Sequence, residues 1–270
     1  MLKFRLWDMS WKEAEEAFKK SDTVIFPVGT LHAHGPTPIS IDSSIAGWLA
    51  EEVGKKTGMM VLPTLSYGED EKMKLYPGSI GISPTTMENV CTDICRSLHR
   101  NGIRKVVFLS GHGGNRGVLA QAGRNVRELG MLTAIVEWWD TTKTWSDLHT
   151  PTHYSEMDEL AIAIVVHGKD VIDVGRSGYK GEWGDTKKFI KKILGDKIIP
   201  VGFDDFEYKG ARITIPVDAW DIDVEGPPRI EKEDLDRLQS NGEKITKRLV
   251  DYISEFVKDF EMIDVSKALG

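Results

Sequence analysis

Cysteine is nearly missing from this chain: 270 residues hold two, Cys91 and Cys95. Spaced four apart within a helical pattern, they read as buried thiols on one helix face, not as a disulfide or a metal site. Long apolar runs are missing too. No stretch approaches the roughly 20 residues that span a bilayer, and Met1-Leu2-Lys3-Phe4-Arg5-Leu6-Trp7-Asp8 lacks the apolar segment of a signal peptide. Nor is there a basic excess. Lys and Arg number 35 against 42 Asp and Glu, a net charge of −7, which argues against a general nucleic-acid binder. Internal repeats, low-complexity segments and a convincing interdomain linker are all lacking. These absences predict a cytoplasmic protein with no membrane or nucleic-acid partner. A single domain over residues 1–270 follows, long enough for a substantial core.

What is present is alternation. Ser10 can cap a helix to about Lys20, with Trp11, Ala14 and Phe18 on one face. Thr23–Val28 is apolar nearly throughout, as a strand covered on both faces should be. Ser43 to Lys56 repeats a helical pattern through Ile45, Trp48, Leu49 and Val53, Gly58 stops it, and Met59–Pro63 reads as a second strand. A polar loop, Ser66 to Tyr76, closes on Pro77-Gly78-Ser79. Ser83-Pro84 then opens a helix with Met87, Val90, Cys91, Ile94 and Leu98 on its core face. Lys105–Leu109 is a third strand. The helix after it carries Val118, Leu119, Ala122, Val126 and Leu129, and Gly130 stops it before a fourth strand, Leu132–Val136. This order predicts an α/β fold of three layers, α/β/α, with a mainly parallel central sheet. Past Asp140 the pattern weakens to a loop (141–152), a buried helix (Tyr154–His167), a glycine-rich aromatic stretch (175–184) and an irregular region (204–229). That last region has a possible short strand at Arg212–Val217, and a long helix closes the chain over Glu231–Phe260.

Ligands of such sheets sit at the carboxyl ends of the strands. Three polar clusters fall there: His32 with His34, His112, and Trp139-Asp140. His-x-His in an extended segment points both imidazoles to one side, and Asp42 follows closely. Imidazole with carboxylate suits zinc, manganese or iron(II). Two unrelated histidines on a surface turn would look the same, but the coincidence of three clusters favours a site. A hydrolytic metal site needs ligands, a held water and a proton shuttle. The candidates are His32, His34, Asp42, His112, His153 and an acid from Asp158 or Glu159. Trp139, with Trp138 and Trp145 nearby, offers a flat wall to a ring-shaped ligand.

Each candidate has a plainer reading. Gly111-His112-Gly113-Gly114-Asn115 could cradle a phosphate at a helix start, although the Lys of a P-loop is missing. His153 could simply sit near a helix start, and Asp158 and Glu159 could be solvated first-turn acids. His99 and His167 read as structural or solvated, Tyr179 and Trp183 as packing.

Taken together, the segments resemble the creatininase family. The resemblance rests on Pro27-Val28-Gly29-Thr30, His34-Gly35-Pro36 and Asp42, then Tyr67-Gly68 and Tyr76-Pro77-Gly78-Ser79-Ile80. Gly111-His112-Gly113-Gly114-Asn115, Trp139-Asp140 and His153 complete it, in the family's order over about residues 22–185. It implies a binuclear centre, often zinc or manganese, and a homo-oligomer, commonly a hexamer. It also implies opening of amide bonds in small rings. By resemblance His34, Asp42 and His112 are metal ligands with Asp42 bridging. Trp139, Ser79 and Gly113 meet the substrate, and His153 shuttles the proton. This chain departs from the family in four places. His32 stands where a Glu is usual, and Asp42 comes one residue early. Gly114 replaces a liganding Glu, and Lys72-Met73 replaces Glu-His. The missing acid is expected from Glu159, with Asp158 as fallback.

The reading is a metal-dependent hydrolase, with one or two ions per chain, probed first as Zn2+ with Mn2+ or Fe2+ as alternatives. Attack of metal-bound hydroxide on a carbonyl would open a small cyclic amide. Two readings stand beside it: an inosose-type hydrolase cutting a C–C bond in a cyclic polyol diketone, and a non-catalytic metal- or nucleotide-binding module.

Overall fold

The computed structural model describes residues 3–145, 155–176, 197–201, 205–218 and 230–268. Strand β1 (Thr23–Val28) is buried along its whole length and runs parallel between β2 (Met60–Val61) and β3 (Lys105–Ser110). Strand β4 (Leu132–Glu137) pairs parallel with β3, so the sheet order is β2-β1-β3-β4. Successive side chains of a strand face opposite ways, and each face finds a helical layer. Val24, Phe26, Val28, Val106 and Phe108 pack against α1 (Trp11–Lys20), α3 (Pro84–Arg100) and α4 (Asn115–Arg127). Ile25, Val107 and Leu109 pack against α2 (Ile41–Thr57), α6 (Ser155–His167) and the closing helix α7 (Asp234–Glu261). The three-layer parallel architecture is the one expected from sequence.

The ends of the elements follow local chemistry. Ser10 and Glu13 form a reciprocal capping box at α1. Ser83 caps α3 with Pro84 in its first turn, and Gly58 ends α2 at a φ of 78°. Cys91 and Cys95 are free and buried on α3, as their spacing implied. Four boundaries differ from expectation. Helix α2 begins at Ile41, which puts Asp42 in its first turn. Strand β2 is only two residues long, because the regular ladder breaks after the Leu62 N–H meets the Ile25 carbonyl: the next bond to β1, at the Pro27 carbonyl, comes from Leu65, one residue late. Trp138–Thr142 coil into a short helix, α5, directly after β4. The possible strand at Arg212–Val217 is β7 (Ala211–Thr214), and it belongs to an antiparallel sheet with β6 (Asp205–Tyr208) and, before the region read as irregular, β5 (Ile199–Pro200). The loop beyond Trp145, His153, Tyr179 and Trp183 lie outside the described residues. Among the described residues no helix is long and apolar enough to cross a membrane.

Candidate metal centre

The chain leaves β1 for β2 on one side and returns as β3 on the other, so the order reverses between β1 and β3. Crevices form at such points. Val28 and Ser110 are in register, and the segments that follow them emerge side by side. That brings His32 and His112 to 4.8 Å between ring centroids, with His34 5.1 Å from His32. Asp42 lies among all three. Its Oδ2 is 2.9 Å from His32 Nε2 and 2.9 Å from His112 Nδ1, and its Oδ1 is 3.7 Å from His34 Nε2. One donor atom each from His32, His34 and Asp42 falls within a 4.8 Å group. The approach depends on Gly111: a Cβ there would collide with the backbone carbonyl of Asp42.

Electrostatics prepares the group for a cation. Burial alone would raise the pKa of Asp42, but hydrogen bonds to His112 and His32, with the charge of His34 and His32, hold it far below the ordinary carboxylate range. Burial pushes His34 down to about 4, reinforced by His32 and His112 and opposed by Asp42, so its imidazole is neutral at pH 7. His112 is raised. Burial works against that, but the Asp42 hydrogen bond and the nearby charges of Asp42, Glu69 and Asp70 outweigh it.

Two acids that sequence reasoning assigned to a polar loop are buried here: Glu69 is 8% exposed and Asp70 5%. Asn115 holds their segment. It accepts from the Glu69 N–H at 3.0 Å and donates from Nδ2 to the Gly29 carbonyl at 3.1 Å. Glu69 Oε1 accepts from the Glu71 N–H at 2.8 Å, and Oε2 lies 3.9 Å from His112 Nε2. Asp70 Oδ1 is 3.6 Å from His32 Nδ1. Neither Asp70 oxygen nor His32 Nδ1 has a hydrogen-bond partner among the described residues. Burial pushes the Asp70 carboxyl up to about 6. The cue in the sequence was an acidic pair directly after Tyr67-Gly68, a piece of the resemblance itself.

Asp158 and Glu159 are 4% and 7% exposed, which removes the plainer alternative of solvated first-turn acids. Glu159 Oε2 is 3.1 Å from His34 Nδ1, the nitrogen that faces away from Asp42. His112, Gly113, Trp138 and Trp139 line the same cavity of about 750 Å³, as do Lys72 and Lys143. Ser79 is not among the lining residues; its Oγ accepts from the Ala33 N–H at 3.4 Å and braces the His-x-His segment. Asp140 is on the outside, paired with Arg116 and Lys143. His167 bonds the Ser44 hydroxyl at 2.7 Å, a structural role. Three imidazoles, one strongly ionised carboxylate and orphaned buried donor atoms form a set that fits a transition-metal ion.

Residues 7–166 match the family model described as creatinine amidohydrolase. The chain belongs to the creatininase family. This creatininase-family chain is 28% identical over 150 residues to the creatinine amidohydrolase of Pseudomonas putida, covering 50% of the chain and 58% of that relative. It is 30% identical over 107 residues to the 3-dehydro-scyllo-inosose hydrolase of Thermotoga maritima, covering 39% of the chain and 34% of the relative. The matches thus span between a third and just over half of these curated relatives. A crystal structure of creatinine amidohydrolase shares the fold at a TM-score of 0.73 and 19% identity, covering 98% of this chain and 100% of that one. Solved creatininases of this fold include a zinc–zinc form (TM-score 0.72) and a manganese form (TM-score 0.71).

Proposed function

We propose that this chain is a metal-dependent hydrolase that opens a small cyclic substrate at an amide C–N bond. The observation that carries the reading is the convergence of His32, His34 and His112 on the single carboxylate of Asp42. Those four residues would hold one or two cations, zinc or manganese by the company the fold keeps. Such ions, when bound, polarise a carbonyl and activate water at neutral pH. The residues themselves divide the remaining work. Asp42 stays ionised and supplies the shared negative charge. Glu159, on Nδ1 of His34, fixes the tautomer that leaves Nε2 facing Asp42. Gly113 lets a ligand approach the backbone, and Trp139 forms a flat wall that excludes water. His153, by resemblance, carries the proton to the leaving nitrogen. Ser79 acts at one remove, by bracing Ala33. The working form is a homo-oligomer, a hexamer by family resemblance, in the cytoplasm.

A second reading, cleavage of a C–C bond in a cyclic polyol diketone, draws support from Lys72 and Lys143 in the cavity wall, both able to bond hydroxyls. The test is metal analysis of the purified chain, followed by a ring-opening screen of lactams, hydantoins and oxidised inositols. At least one tightly bound transition metal per chain is expected, lost in His34→Ala and His112→Ala. Less than one, or a content those substitutions leave unchanged, overturns the enzyme reading. The product of the screen separates the two bond types.

A further inference from the structure

Gly114 sits in the turn that carries His112, and the space where its side chain would be is filled. A Cβ on residue 114 would collide with Glu69 Oε2 and come within 2.6 Å of His112 Nε2. A carboxylate from a different loop therefore occupies the room that this turn leaves beside the histidine. Glu69 is not there by drift. Its N–H is held by Asn115 and its Oε1 by the Glu71 N–H, which leaves Oε2 to face His112 at 3.9 Å.

The neighbouring residue repeats the arrangement on the other histidine. Asp70 is 5% exposed, and both of its oxygens lack a hydrogen-bond partner among the described residues, as does His32 Nδ1 at 3.6 Å. Contacts of 3.6 and 3.9 Å are too long for hydrogen bonds. They are near the separation of about 3.4 Å expected of two donors each bound at about 2.0–2.2 Å to one tetrahedral cation. A buried carboxylate with no partner is costly unless a cation meets it. Charge points the same way. With Asp42 as the one carboxylate, two divalent ions would face a single negative charge, and Glu69 and Asp70 raise that to three. Glu159 likewise meets the nitrogen of its histidine that is turned away from Asp42, but at 3.1 Å it is within hydrogen-bond distance of His34 Nδ1.

We propose that Glu69 and Asp70 supply the remaining carboxylate ligands of the cation centre, with Glu69 taking the space that the missing side chain at 114 leaves. The inference rests on the metal-centre reading above and adds to it a ligand pair from the loop between β2 and α3.

The experiment measures zinc per chain by elemental analysis and zinc affinity by competition with a chromophoric chelator, for the full chain and for Glu69→Gln, Asp70→Asn and Glu159→Gln. Metal-free melting checks that each variant folds. Glu69→Gln and Asp70→Asn are each expected to lose about one equivalent of zinc or to bind it more than a hundredfold more weakly, beyond the 10–100-fold typical of an outer partner. Glu159→Gln is expected to stay within that outer-partner range. Gly114→Glu in a Glu69→Ala background is expected to recover zinc that Glu69→Ala alone loses, since the incoming carboxylate takes the vacated space. Should Glu69→Gln fail to fold, Glu69→Asp keeps the charge and withdraws it by one methylene, and a drop in affinity without loss of fold is expected. A wild-type chain that holds zinc, with Glu69 and Asp70 variants holding as much and as tightly, overturns this inference alone. A wild-type chain that holds none overturns it together with the proposed function.

Discussion

Asp42 is the residue through which the others communicate, since both of its oxygens face imidazoles and it is only 2% exposed. Its identity was readable from sequence, as were His32, His34 and His112. Glu69 and Asp70 were not, because two acids in a polar loop look solvated until another segment closes over them. Asn115 was also passed over, though it ties the turn after β1 to that loop. Asn115→Ala strands the Gly29 carbonyl and the Glu69 N–H, and each buried group left unpaired costs about 1–3 kcal/mol. A lower thermal midpoint together with weakened zinc binding is expected, and calorimetry with chelator competition reads both. Cys91 and Cys95 give a simpler prediction. Burial pushes both thiols up to about 12 from an ordinary 9.0, with Cys91 adding to the rise at Cys95. A folded-state pKa that is raised favours the protonated form, so the stability these thiols contribute is complete below pH 9.0 and is lost on the way to about 12. No labelling by a thiol reagent is expected in the folded chain at pH 8, and two thiols per chain should react once it is unfolded.

At the scale of elements, α2 does two jobs. Its N-terminus presents Asp42 to the site, and the rest of it buries Ile45, Leu49, Ala50 and Val53 against the sheet. These jobs separate by substitution. Leu49→Ala leaves a core cavity and should cost about 2–5 kcal/mol, read by denaturant unfolding, without altering zinc per chain. Gly111→Ala acts on the seam between β3 and α2 instead. Its Cβ meets the Asp42 carbonyl, so the helix start and the His112 turn must part. Overpacking of that kind costs about 1–3 kcal/mol, and here it should also remove zinc; an unchanged zinc content in a folded Gly111→Ala chain would count against the seam as the device that sets the site. The strands and helices of the first half were legible because their apolar residues recur at the periods of buried strands and one-sided helices. The start of α2 was misplaced by two residues. Ile41 and Asp42 carry no capping signal, for Ser40 makes no side-chain cap. Of the β5–β7 sheet only the strand near Arg212–Val217 was legible; β5 and β6 were missed because they are short and β6 is half exposed, with Phe206 and Val217 the buried hydrophobic residues of the small core.

At the scale of the molecule, helices from both ends of the chain close over one sheet, and α7 completes the layer that α2 begins. A cation bound only by the folded arrangement stabilises the whole by mass action, about 2.7 kcal/mol at a hundredfold excess over the dissociation constant. Chelation should therefore lower the melting temperature of the full chain, and zinc should restore it, as differential scanning calorimetry would show; a midpoint indifferent to chelator would argue against a site that joins distant segments. What the amino-acid order determined by itself was local. The periodicity of apolar residues set the layers, glycines and prolines set the ends of elements, and His-x-His and Gly-His-Gly-Gly marked the edge where chemistry belongs. What only the tertiary structure decided was partnership. Which acid faces which imidazole depends on Glu69 and Asn115, 46 positions apart, being folded back into a single hydrogen bond, and on glycines 111 and 114 leaving room for other segments to enter. Spacing along a chain carries no information about such contacts, because they form between segments whose approach is settled by the packing of everything between them.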